Sequence, residues 1–299
     1  MFPRLIHFLN GNAALLLTLT TLSWAGNTTI GRWIAGKVPP MTLAYLRWTG
    51  AALLILPIAW PHLKRDWPII RAHLFPLVVL GITGTGLFNT LQYLALVHTT
   101  ATTVGIIYSS GPVMIAMTSY FLNGEKISNW QAAGIATSLL GVLTVITHGA
   151  PHTIGNLDLN RGDVVMLTAV AIWAFYTAYL TRRPAIHPLS FAAFTFVAAS
   201  LVNLPLASFE FINGANFSLT WQTALAIVYI VTLPSLMAYV FFSRGVELIG
   251  PAKAGAYLHL VPLFAATLAI TLLGEQPGLY HLVGFALILA GVALVTRGK

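Results

Sequence analysis

Residues 122–142 read LNGEKISNWQAAGIATSLLGV, and residues 272–292 read LLGEQPGLYHLVGFALILAGV. Both contain G-E-x8-G-x6-G, and the two blocks stand 150 positions apart. The register extends outward from them: Gly105, Pro112, Gly124, Glu125, Gly134, Gly141 and Val142 face Gly255, Pro262, Gly274, Glu275, Gly284, Gly291 and Val292. Earlier in each half it slips by one or two residues, so that Trp24-Ala25 matches Trp173-Ala174, and Pro40 and Pro57 match Pro188 and Pro205. Chance rarely aligns so many glycines and prolines. The chain reads as two copies of one unit, residues 1–150 and residues 151–299.

Composition says where the copies sit. Of 299 residues 57% are hydrophobic and only 7% are charged, which leaves too little charge to cover a soluble domain. The apolar residues gather in stretches of about 20, the thickness of a bilayer core. Hydropathy breaks predict ten spans: 13–34, 41–61, 74–96, 101–121, 130–148, 163–181, 188–209, 221–243, 253–273 and 280–297. The expected fold is an all-α integral membrane protein of ten transmembrane helices. The connections are short, leaving no room for a soluble domain.

The net charge of +8 does not mark a nucleic-acid surface, because the 15 Lys and Arg are scattered between apolar spans. They read as topology signals. The N-terminus and the even-numbered connections hold eleven, whereas the odd-numbered ones hold only Arg32, Lys37 and Arg161, with Arg47 inside the second span. Both termini are therefore expected on the cytoplasmic side. Ser23-Trp24-Ala25 loosely resembles a signal-peptidase site, but cleavage there would remove the partner of the sixth span. Five spans per copy is an odd number, so the second copy enters the membrane from the opposite face. Inverted repeats of this kind typify secondary transporters, whose two halves exchange conformations.

The paired G-E-x8-G-x6-G blocks resemble the EamA domain of the drug/metabolite transporter superfamily, and within it the YddG-type aromatic amino-acid exporters. The resemblance covers essentially the whole chain. It implies ten helices with both termini inside, export of small metabolites, and a central cavity lined chiefly by the third, fourth, eighth and ninth helices.

Several residues stand out physically. Glu125 and Glu275 precede the fifth and tenth spans, where a carboxylate can cap free backbone N–H groups. Gly134, Gly141, Gly284 and Gly291 recur at two-turn spacing, forming smooth faces for close helix packing. Pro112 and Pro262 fall near the middle of the fourth and ninth spans; each removes a backbone hydrogen bond, so each is expected to act as a hinge beside a cavity. Asn89, Tyr93, Tyr108, Tyr239, Tyr257 and His259 lie near these kinks and are the candidate substrate-binding residues, flanked by Trp24, Asn27, Trp173 and Tyr176. Arg47, about two turns inside its span, either snorkels outward or holds a substrate carboxylate. Trp33, Trp60, Trp67, Trp130, Trp221 and Tyr280 read as interfacial anchors.

Other chemistries lack their machinery. There is no H-E-x-x-H, no G-x-S-x-G and no paired intramembrane carboxylate, so an enzyme is not expected. GITGTG at residues 81–86 follows no strand and reads as a close-packing stretch rather than a phosphate loop. His148 and His152 have helical ligand spacing without a third ligand, and no cysteine is present, so no metal and no cofactor is expected. These readings converge on an inner-membrane exporter of amino acids, aromatic or otherwise neutral, or of similar small metabolites, working by alternating access. A passive channel, or a carrier of nucleosides or drugs, is the alternative. The expected partners are the substrate and membrane lipid.

Overall fold

A computed structural model of the chain describes residues 11–34, 36–99, 101–150, 152, 160–273 and 278–297. Among them the regular structure is helical throughout. Seven helices are long and apolar enough to cross a membrane: α2 (Pro40–Ala72), α3 (Leu74–His98), α6 (Asn129–Ile146), α7 (Arg161–Tyr179, with a short 3-10 turn after it), α8 (Pro188–Ile212), α9 (Trp221–Ile249) and α12 (Leu279–Arg297). The first expected span is one 21-residue helix, α1 (Ala13–Trp33), rich in threonine. The fourth and ninth are each broken. The former consists of α4 (Ala101–Ser109) and α5 (Gly111–Asn123). The latter consists of α10 (Pro251–Ala256), a 3-10 turn at Tyr257–His259, and α11 (Leu260–Leu273).

The breaks correct the expectation of proline kinks inside continuous helices. Pro112 is the second residue of α5 and Pro262 the third residue of α11, so each proline starts a new helix, where its missing N–H costs nothing. A second correction concerns residues 62–68, expected as a connection. They continue α2 for two further turns, through Pro57, Pro61 and Pro68.

Two spans are locally unwound. Residues Gly81–Leu87 in α3 and Val231–Met237 in α9 are π-helical, and the two segments stand 150 positions apart. In the first, a methyl added at Gly84 would overlap the ring of Tyr176. GITGTG is a close-packing stretch, and the wider turn lets α3 approach α7. In the second, Pro234 lacks an N–H, and Ser235 Oγ donates to Ile230 O at 2.7 Å.

Packing is mostly between helices before residue 150 and helices after it: α6 on α12, α2 on α8, α3 on α7 and α1 on α9. The glycine faces explain the first pair. A Cβ on Gly134 would meet Gly291 O at 2.6 Å, and one on Gly141 would meet Gly284 O at 2.7 Å. Antiparallel backbones approach at the glycines, as the spacing predicts. Each end of the α2/α8 pair is closed by a carboxylate from the other helix. Glu210 of α8 accepts from Met41 N (3.0 Å), Thr42 N (2.7 Å) and Thr42 Oγ1 (2.9 Å) at the start of α2. Asp66 of α2 accepts from His187 N and Ser190 Oγ, both at 2.8 Å, at the start of α8.

The cap of α6 is not Glu125. Ser128 Oγ accepts from Gln131 N at 3.3 Å and Ser128 N donates to Gln131 Oε1 at 2.9 Å, a capping box three residues further on. Glu275 and Gly274 lie outside the described residues. Apolar side chains such as Leu53, Ile58, Phe75, Phe121 and Leu282 cover the outside of the bundle; Trp33, Trp67, Trp130 and Trp221 are exposed at or near helix ends, and Trp60 is exposed inside the long α2. That surface suits lipid rather than water.

Candidate functional site

A cavity of about 260 Å³ opens between the helices, at the small end of the range for metabolite sites. Trp24 and Asn27 of α1, Phe88, Asn89, Gln92, Tyr93 and Leu96 of α3, Val104, Gly105 and Tyr108 of α4, and Tyr239 of α9 line it. Val145 and Ile146 of α6 and Val261, Pro262, Ala265 and Ala266 of α11 complete the wall. The lining is mostly apolar, with neutral polar groups and no carboxylate.

Of the candidate site residues singled out in the sequence, the structure brings Trp24, Asn27, Asn89, Tyr93, Tyr108, Tyr239 and Pro262 to this wall. Trp24 is fixed by donating its indole N–H to Pro234 O at 2.9 Å. Tyr239 OH accepts from Asn89 Nδ2 at 2.8 Å and donates to Gly84 O at 3.0 Å, joining α9 to the π-helical turn of α3.

Five others stand elsewhere, as does Pro112, which sits at the start of α5; Tyr176 is buried against Trp173, ring centroids 5.1 Å apart. Trp173 is buried behind the wall, 5.3 Å from Trp24 between ring centroids and 4.8 Å from Phe88. Its indole N–H has no partner among the described residues. Tyr257 is buried in the 3-10 turn. His259 is 1% exposed and acts as a brace: Nε2 donates to Ser109 O at 2.9 Å, and Nδ1 lies 2.6 Å from Ser138 Oγ. Ser109 O belongs to the last residue of α4, so the histidine ties the end of α4 to the 3-10 turn.

Arg47 does not snorkel. It is 1% exposed and points inward. Nε donates to Ser235 Oγ at 2.6 Å, Nη1 to Asn89 Oδ1 at 2.8 Å and to Tyr93 OH at 3.1 Å, and Nη2 to Pro234 O at 3.1 Å. The guanidinium also lies 4.8 Å from the centre of the Trp48 ring. It reaches the cavity only through Asn89 and Tyr93.

Sequence reasoning missed Gln92, which a polar-residue-in-span criterion finds one turn from Asn89. It also missed Phe88, Leu96, Val104 and the alanines of α11, for which no signal exists, because an apolar residue facing a cavity reads like one facing lipid.

The relatives agree with this architecture. An uncharacterized transporter of Archaeoglobus fulgidus is 28% identical over 96% of this chain and 98% of its own length. The uncharacterized transporter YyaM of Bacillus subtilis is 27% identical over 88% of this chain and 86% of its own. A probable terminal-alkyne amino-acid exporter of Streptantibioticus cattleyicolor is 28% identical over 94% of this chain and 92% of its own. A crystal structure with 20% sequence identity matches the fold with a TM-score of 0.77, covering 95% of this chain and 96% of that one. The profile of the EamA-like transporter family matches residues 11–147 and, a second time, residues 160–297. The chain is a multi-pass membrane transporter and belongs to the EamA-like transporter family.

Proposed function

We propose that this transporter exports amino acids, or similarly small amphipathic metabolites, across the inner membrane by alternating access. Its ten spans form two inverted five-helix halves, with both termini cytoplasmic. One observation carries the reading. Apart from Asn89 and Tyr239, which are counterparts and both line the cavity, most positions displaced by 148–150 residues from the cavity wall are packed. Trp24, Gln92, Tyr108, Val104 and Ala265 line the cavity, whereas their counterparts Trp173, Phe242, Leu258, Ala254 and Ile115 are at most 1% exposed. One side is open and the equivalent side is shut, which is the arrangement two exchanging halves require.

Counterparts also meet each other where an axis relating the halves would pass: Trp24 against Trp173, Asn89 against Tyr239, and Ser109 against His259. The aromatic wall suits an apolar side chain, and the exporter from Streptantibioticus cattleyicolor carries amino acids by name. Aromatic amino acids, the cargo of the YddG-type exporters, are therefore the first choice. Among the described residues no carboxylate lines the cavity, which supports transport down the substrate gradient without proton coupling.

The test is counterflow of L-phenylalanine in sealed proteoliposomes at equal pH on both sides. Saturable exchange is expected. Strict dependence on an imposed proton gradient rejects the uncoupled mechanism, and unsaturable flux identifies a passive channel.

A further inference from the structure

We propose that the cavity selects its occupant by negative charge: Arg47 sets the field, Asn89 and Tyr93 deliver it, and the preferred cargo is an amphipathic monocarboxylate whose amino group is tolerated rather than required. This rests on the transport reading above and names the substrate class of that same cavity.

Arg47 is a buried cation with no anionic partner among the described residues. The ion pairs among the described residues join Arg65 to Asp66, and Arg183 and Arg244 to Glu247. A charge held at depth in a membrane protein without a counter-charge is costly, and it persists where it serves a pathway or ligand.

The duplicated fold supplies an internal control. The position 148 residues beyond Arg47 is Thr195, and the position 150 before Ser235 is Thr85. The contact of Arg47 Nε with Ser235 Oγ at 2.6 Å is therefore matched by Thr85 Oγ1 donating to Thr195 O at 3.0 Å. The same crossing is closed once by a guanidinium and once by neutral groups. Packing does not demand the charge.

The guanidinium also dictates which polar atoms remain for a ligand. It occupies Asn89 Oδ1 and the Tyr93 hydroxyl oxygen as acceptors. What these side chains have left are donors: the Tyr93 O–H and the second N–H of Asn89, neither with an acceptor among the described residues. Donors polarised by an adjacent cation bind an anion more strongly than a neutral carbonyl. Nothing in the wall balances an ammonium. Asn27 Oδ1, buried without a partner among the described residues, can accept an N–H but carries no charge. Trp24, Phe88 and Tyr108 then accommodate the apolar body.

The experiment is equilibrium binding to the purified full-length protein, using 3-phenylpropionate, its neutral isostere 3-phenylpropanamide, L-phenylalanine and phenethylamine. The acid is expected to bind about tenfold or more tightly than the amide, with L-phenylalanine near the acid and phenethylamine weakest. In Arg47→Gln the ratio of acid to amide affinity falls toward one. In Tyr93→Phe, which removes one donor and leaves the charge in place, acid affinity drops several-fold while amide affinity holds; this arm decides the matter if Arg47→Gln does not fold. Equal binding of acid and amide, an unchanged ratio in the folded variants, or binding of none of the probes overturns the proposal. Counterflow of L-phenylalanine with equal acid and amide affinities overturns it while transport stands. A strong preference for the acid without counterflow supports the anion site and removes the transport reading.

Discussion

His259 and Tyr108 sit within two turns of proline-led helix starts, yet their environments give them different roles. His259→Ala removes the ring N–H that Ser109 O accepts and the contact with Ser138 Oγ, a loss of about 1–3 kcal/mol, so a clear drop in melting temperature in detergent is expected. Tyr108 lines the cavity, and Tyr108→Ala is expected to cut counterflow sharply while moving the melting temperature little. Both are read from the same two assays. A histidine and a tyrosine near the same kinks look alike in sequence, because hydropathy reports depth and not the direction a side chain faces.

At the scale of helices, the two carboxylates at the ends of the α2/α8 pair hold the longest interface between the halves. Glu210→Ala removes two backbone contacts from the start of α2 and is expected to cost about 1 kcal/mol, measurable as a lower melting temperature. At the opposite end the rings of His62 and His187 stack with centroids 3.6 Å apart. His187 is held below its ordinary value of 6.5 by burial and by His62 beside it, with Arg65 adding to the effect and Asp66 opposing it. A histidine with a depressed folded value is neutral in the fold and takes up a proton more readily once unfolded. Stability is then full above pH 6.5 and falls as pH drops through and below it. Melting curves across that window should show the fall, and His187→Gln should flatten it. Gly134→Val tests the other large interface: its side chain would run into the Gly291 backbone, and a loss of about 2 kcal/mol or more is expected from overpacking.

For the whole molecule the prediction concerns two faces. The chain contains no cysteine, so single cysteines report without background. Ala265→Cys on the cavity wall should react with a membrane-impermeant maleimide, while its counterpart Ile115→Cys, fully buried, should stay silent until the halves exchange. Conditions that trap the opposite state should reverse the two. Simultaneous labelling of both would indicate a continuous pore.

The membrane class, the duplication, the glycine faces and most helix boundaries were readable from the chain itself. These are local or periodic properties: hydropathy over about 20 residues, glycine every seven, and one motif repeated at a fixed distance. The environments of Trp24 and Trp173 were not readable. They belong to the same motif, but one lines a cavity and the other is packed behind it, and nothing near either residue differs enough to say which. Arg47 was equally ambiguous, because only folding places Ser235, Asn89, Tyr93 and Pro234 within reach of its guanidinium. Glu125 has no capping role because it stands three residues ahead of Ser128, the N-cap of a helix that starts at Asn129. Sequence therefore determined the repeated motif and its seat in lipid, whereas tertiary structure decided which members of each matched pair face the open cavity. The physical reason is symmetry: near-equivalent segments have equal claims until packing between them closes one side and leaves the other open.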